Sequence, residues 1–252
     1  MKRSLVLIAG VLFTSQLFAN SLTDDLMQQA KDGVAKAQEQ IGVLYAKGKD
    51  VVQDHGSAIE WFKKSANQGY AKAQYDLGIA YTKGYGVTQD YKEAASWFEK
   101  SAEQNYPPAQ YDLGLLYLYG RGVPQNYDTA IKWLEQSAKL KLPRAQYKLA
   151  SLYDKGVGVP QDHRQAADYL RQAAEQGYTQ AQFTLGSFYA SGKGLTQDYQ
   201  QAYIWYSLAA AKLKGKEEAD AMVKRDQAAR HLNKDQLEKA QQTARKLFDA
   251  QK

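Results

Sequence analysis

An all-α repeat fold, built from five helix hairpins, is what the sequence predicts, and three observations carry the prediction. The dipeptide Ala-Gln recurs at Ala37, Ala73, Ala109, Ala145 and Ala181, each 36 residues after the last. Tyr45, Tyr81, Tyr117, Tyr153 and Tyr189 keep the same phase, as do Gly48, Gly84, Gly120, Gly156 and Gly192. Trp61, Trp97, Trp133 and Trp205 share one position, which Tyr169 fills in the fourth copy. A fixed period of this length marks a repeat architecture in which each unit is one supersecondary element.

The elements follow in order. Residues 1–19 place Lys2 and Arg3 before an apolar run from Leu5 to Phe18, with Ala19 at a plausible cleavage position, and read as a secretory signal peptide. The run is shorter than the roughly 20 residues that span a bilayer. Residues 20–33 are expected to cap the front, with Leu22 to Lys31 aligned to the second helix of a repeat. Five repeats then occupy 34–213, and 214–252 supply C-terminal capping helices at Lys216 to His231 and Asn233 to Lys252. Asn233 with Gln236 is an N-cap pair, and Leu237, Ala240, Ala244, Leu247 and Phe248 form its apolar stripe.

Within a copy, Ala73, Leu77 and Tyr81 recur at helical spacing, and Gly84 suits the left-handed position that ends a helix. Asp90 opens the second helix, with Asp54, Asn126, Asp162 and Asp198 as its equivalents, and Glu93 is placed to complete a capping box. Ala94, Trp97, Phe98 and Ala102 then share one buried face. Pro107 and Pro143 start first helices, where a missing N–H costs nothing. The anomaly is a glycine inside each first helix, at Gly42, Gly78, Gly114 and Gly186, with Ala150 in the fourth copy. Such a residue costs about 1 kcal/mol relative to alanine, so close helix approach is expected there.

The motif Ala-x-x-x-Leu-Gly-x-x-Tyr, then Gly-x-Gly-Val, then Asp-x-x-x-Ala-x-x-Trp resembles the Sel1-like repeats (SLR), which are tetratricopeptide-like (TPR-like). The resemblance implies a right-handed α-solenoid. Asp50 replaces the second loop glycine in the first copy, and Lys139 to Leu142 replaces the usual Gln-Gly junction.

Composition excludes several function classes. The 44% apolar and 24% charged content is that of a globular chain, and no cysteine is present for disulfides. The net charge of +6 does not mark a nucleic-acid face, because residues 20–211 hold twenty basic and twenty acidic side chains. The excess lies in 1–19 and in 212–252. No serine is followed three residues later by lysine, which removes the Ser-x-x-Lys nucleophile. His55 and His163 occupy one repeat position three copies apart and read as exposed residues after an N-cap, and with His231 they give no zinc-ligand spacing. No catalytic residue, metal site or cofactor is assigned.

Positions that repeat serve packing, and positions that vary are free to recognise something. In the first helices the variable positions fall on one face, which carries seven basic and two acidic side chains. By resemblance this face lines the concave groove. The candidate partner-binding residues are Lys72, Asp76, Ile79, Lys83, Asp112, Leu115, Tyr119, Arg144, Lys148 and Lys155. The expectation is an exported bacterial, noncatalytic protein-interaction scaffold, periplasmic or secreted, with no nucleic acid and no membrane span after signal cleavage. The resemblance also implies narrower roles, as an immunity protein against a secreted toxin or in host-cell interaction. The alternative is an envelope hydrolase or penicillin-binding, β-lactamase-like enzyme.

Overall fold

The computed structural model describes residues 23–251. The expected signal peptide, 1–19, lies outside them, as do residues 20–22 and 252. Among the described residues there are thirteen helices and no strand. The chain divides into two compact units, Met1–Pro124 and Gln125–Lys252.

In the first unit, α1 covers residues 23–31. It is followed by α2 (Ala35–Lys47), α3 (His55–Asn67), α4 (Ala71–Lys83), α5 (Tyr91–Glu103) and α6 (Pro107–Tyr119). First helices end at Gly48, Gly84 and Gly120 with φ of 64°, 74° and 64°. Asp54 and Asp90 cap the second helices by accepting from two backbone N–H groups each. The expected role of Glu93 is corrected: its carboxylate accepts from the Trp97 indole N–H at 2.9 Å, four residues along the same helix.

The mid-helix glycines have a specific cause. A Cβ on Gly42 would stand 2.6 Å from the Phe62 ring, and one on Gly78 would overlap Phe98. The ring of the second helix therefore lies directly on the backbone of the first. Burying a phenylalanine contributes about 1.5–3 kcal/mol, which exceeds the ~1 kcal/mol that glycine costs in a helix.

The repeated glutamine joins consecutive hairpins. Gln38, Gln74 and Gln110 donate from Nε2 to the carbonyls of Ala30, Ala66 and Ala102, at 3.0, 3.3 and 3.1 Å. Each bond is a further contact to a last-turn carbonyl of the preceding helix that also accepts from the turn backbone, from the N–H of Gly33, Gly69 and Asn105 respectively. Because Gln38 treats Ala30 of α1 as Gln74 treats Ala66 of α3, α1 stands in for a second helix. It packs Leu26, Met27 and Ala30 on Ala37 and Ile41, as a front cap should.

The second unit holds α7 (Tyr127–Lys139), α8 (Pro143–Lys155), α9 (His163–Glu175), α10 (Thr179–Ser191), α11 (Tyr199–Ala210), α12 (Lys216–Ala229) and α13 (Lys234–Ala250). Gln146 and Gln182 repeat the link, to Ala138 and Ala174 at 3.2 and 3.1 Å. In the departing junction Lys141 adopts φ 63°, the same left-handed turn that Gly177 makes at φ 81°. Asn233 and Gln236 form the expected capping box, with reciprocal bonds of 2.9 and 3.0 Å. On α13, Ala240 and Ala244 are buried, with Leu247 and Phe248 packed beside them, in the cluster that contains Leu185, Trp205 and Leu208. Gln251 accepts from Gln182 Nε2 and Lys212 Nζ, both at 3.0 Å. Thus α13 covers the last repeat.

Candidate interaction face

In the first unit the variable residues of α4 and α6 line two hollows. One, of about 410 Å³, is bounded by Val43, Lys47, Phe62, Asp76 and Ile79, with His55 and Tyr85 at its edge. The other, of about 180 Å³, is bounded by Ile79, Lys83, Phe98, Asp112, Leu115, Tyr119 and Arg121. Ile79 belongs to both, so six of the expected residues line adjoining depressions. Lys72 stands at the junction of α2 and α4, with its ammonium 2.6 Å from Glu39 Oε1.

The loops that rim the hollows are fixed by the second glycine of Gly-x-Gly. A Cβ on Gly86 would overlap the His55 carbonyl, and one on Gly122 the Tyr91 backbone. Each loop therefore rests on the start of the previous second helix, and the residue between its glycines is laid over that helix's first side chain. Tyr85 stacks on His55 with ring centroids 5.2 Å apart and planes 12° from parallel. The Arg121 guanidinium lies 5.9 Å from the Tyr91 ring centroid and 5.7 Å from that of Tyr119.

Electrostatically the floor is quieter than the formal charges suggest. Glu39 is 1% exposed and its charge is matched by Lys72. Burial, and then the charge of Glu39, push the Asp76 carboxyl up to about 7, against the opposing pull of Lys72 and Lys47. Asp112 accepts from the Tyr75 hydroxyl at 2.9 Å. By contrast Lys83 and Arg121 are exposed and form no ion pair among the described residues.

The second unit has its own features. Arg144 and Lys148 are half-buried on α8. Lys155 lines a hollow of about 170 Å³ with Tyr147, Ser151, Asp154 and Thr184. Asp154 accepts from His163 Nδ1 at 2.9 Å and from Lys193 Nζ at 2.7 Å. The histidines expected as exposed residues after an N-cap are both partly buried, His55 stacked on a ring and His163 bonded to a carboxylate. No cluster of three metal-ligating side chains occurs among the described residues. In the fifth repeat the variable positions face α12: Gln180 and Thr184 share a hollow with Glu217 and Asp220, and Ser187 and Ser191 share one with Lys224 and His231.

A family model described as Sel1 repeat matches residues 35–70, 71–106, 107–142, 143–178 and 179–212. The chain belongs to the Sel1 repeat family. Sel1 repeats are typically protein-interaction scaffolds. Among solved structures, a Sel1 repeat protein from Oxalobacter formigenes is similar at 33% identity and a TM-score of 0.73, covering 85% of this chain and 84% of that one. A protective antigen present in uropathogenic Escherichia coli strains, described as displaying an SLR fold, is 28% identical with a TM-score of 0.60 and covers 85% of this chain and 57% of that one. An immunity protein from Pseudomonas aeruginosa, at 23% identity and a TM-score of 0.51 over 85% and 80% of the two chains, shares the fold. No curated protein sequence matches this chain.

Three residues of this Sel1 repeat face are absent from the sequence-derived set. Glu39 stands where the other copies have Tyr75, Tyr111, Tyr147 and Phe183. Tyr85 and Arg121 occupy the loop position that is Lys49, Val157 and Lys193 elsewhere. Comparing copies at those two positions exposes all three; restricting the comparison to the variable helix face does not.

Proposed function

We propose that this Sel1 repeat chain is an exported, noncatalytic scaffold that binds a protein partner through the variable face of its first helices. The observation that carries the reading is the division of labour between positions. Repeated residues such as Ala73, Leu77, Ala94 and Ala109 are buried to within 1%, while Asp76, Ile79, Lys83, Leu115 and Tyr119 line open hollows. Side chains that differ from copy to copy make a surface whose specificity is set by pattern, as expected for recognition of a macromolecule. Periplasmic residence or secretion rests on the signal-peptide pattern of residues 1–19. Neutralisation of a secreted toxin is a narrower role within this reading.

A photocrosslinking residue at Tyr119, used in cells and followed by mass spectrometry, tests the proposal. The expected outcome is one protein enriched over the same probe at Glu99, an exposed residue of α5. A toxin, an envelope protein or a host protein in that band identifies the narrower role. Equal labelling from the two positions counts against the face.

A further inference from the structure

We infer that the two hollows of the first unit are a receptor for one acidic peptide segment carrying apolar side chains, which straddles Ile79. The inference rests on the scaffold reading above and names the chemistry of its partner.

Size and shape come first. At about 410 and 180 Å³, the first hollow lies in the lower part of the roughly 300–1,000 Å³ typical of small-molecule sites and the second below it. Both are open and meet at a shared residue, so they suit side chains projecting from one segment. Their floors are apolar, with Phe62 and Val43 beneath the first and Phe98 and Leu115 beneath the second. Apolar side chains of the partner are therefore matched to the floor.

Charge then selects what lies between those side chains. The carboxylates of the face are already engaged or partly neutral: Glu39 by Lys72, Asp112 by the Tyr75 hydroxyl. The rim cations are not. Lys83 and Arg121 are exposed without an ionic partner among the described residues. An approaching segment thus meets two exposed cations, Lys83 and Arg121, above a floor where Glu39 is paired with Lys72 and Asp112, held by the Tyr75 hydroxyl, keeps one negative charge; the balance favours acidic residues and disfavours basic ones. Arg121 lies over Tyr91 and Tyr119, which orients a planar donor fork of the kind that binds carboxylates in two-pronged fashion. Tyr85 and Tyr119, each 52% exposed, add the aromatic contacts that tend to dominate interface energies.

The test uses the full mature chain and fluorescent synthetic dodecapeptides of equal apolar content, with glutamate, serine or lysine at the intervening positions. Anisotropy titration should show saturable binding of glutamate peptides only, weakening with salt. The K83E/R121E variant should bind them roughly tenfold or more weakly, and Leu115→Ala should weaken them as well. R121K should keep a Coulombic attraction and lose the fork, giving an intermediate affinity. Unchanged circular-dichroism melting of each variant separates lost contacts from lost fold. Equal binding of the lysine peptides, or affinity unchanged by charge reversal, overturns the inference. A partner crosslinked from Tyr119 that binds as well to K83E/R121E as to the native chain overturns it too, and leaves the scaffold reading standing.

Discussion

Gly78 poses the conflict between local propensity and packing at the scale of one residue. Helix propensity favours alanine there by about 1 kcal/mol, yet a Cβ would overlap the Phe98 ring, itself 1% exposed. Overpacking a closed core site costs typically 1–3 kcal/mol, so packing wins. The fourth copy shows the compatible alternative, Ala150 in the same core cluster as Leu170. Gly78→Ala should therefore lower stability by up to about 2 kcal/mol, the overpacking cost less the propensity gain. In urea denaturation, Gly78→Ala combined with Phe98→Leu should be less damaging than the sum of the single changes by about 1 kcal/mol or more. Strict additivity would show that the ring does not set the glycine. The glycine and its period were legible in the sequence; the ring that demands it was not, because the two are joined only by the hairpin's closure.

Between elements, the junction of α2 and α4 carries a charged cluster, whereas the other buried polar side chains among the described residues are glutamines and serines. Glu39 and Lys47 come from α2, Lys72 and Asp76 from α4, and Tyr106 from the turn before α6. The Asp76 carboxyl, ordinarily near 3.8, is pushed up to about 7 by burial and the neighbouring Glu39 charge. Between those values the folded chain holds a proton that the unfolded chain has released. The associated stability is therefore full below about pH 4 and is lost as pH rises through about 7, a change on the order of 2–4 kcal/mol. Denaturation at about pH 5 and about pH 8.5 should show the native chain less stable at the higher value, and Asp76→Asn should flatten that slope. A stability that rises with pH across this window, by an amount that Asp76→Asn removes, would contradict the assignment. Element boundaries were readable from Asp and Asn caps and from left-handed glycines. Glu93 was misread, since a carboxylate three residues after an N-cap has two donors in reach, and only the position of Trp97 decides between them.

For the whole molecule the question is how a repeat array ends. Neighbouring repeats bury each other, so a terminal repeat needs a cover. In the second unit α12 and α13 supply it: Ala221 and Ala228 of α12 join the clusters of Ala209 and Ala202, and Ala240 and Ala244 of α13 that of Leu208. Deleting residues 214–252 should expose α11, promote self-association and abolish slow amide exchange in α10 and α11. Protection in α2 to α5, within the other unit, should persist. Hydrogen exchange with mass spectrometry reads both results, and uniform loss across the chain would mean that stability is not distributed repeat by repeat. The same α12 faces Gln180, Thr184, Ser187 and Ser191, so those variable residues of the fifth copy are directed at the chain's own helix.

The sequence alone determined the repeat, its phase, the helix ends and the identity of the packing positions. These depend on spacing along one chain, and a 36-residue period displays them five times over. Only the tertiary structure decided which charges remain available. Lys72 is paired with Glu39, Asp112 with Tyr75, and His163 with Asp154, whereas Lys83 and Arg121 stay open beside Leu115 and Tyr119. An ion pair such as that of Lys72 with Glu39 joins two different repeats and involves residues that differ from copy to copy. Its existence depends on distances of a few ångströms that no periodicity encodes.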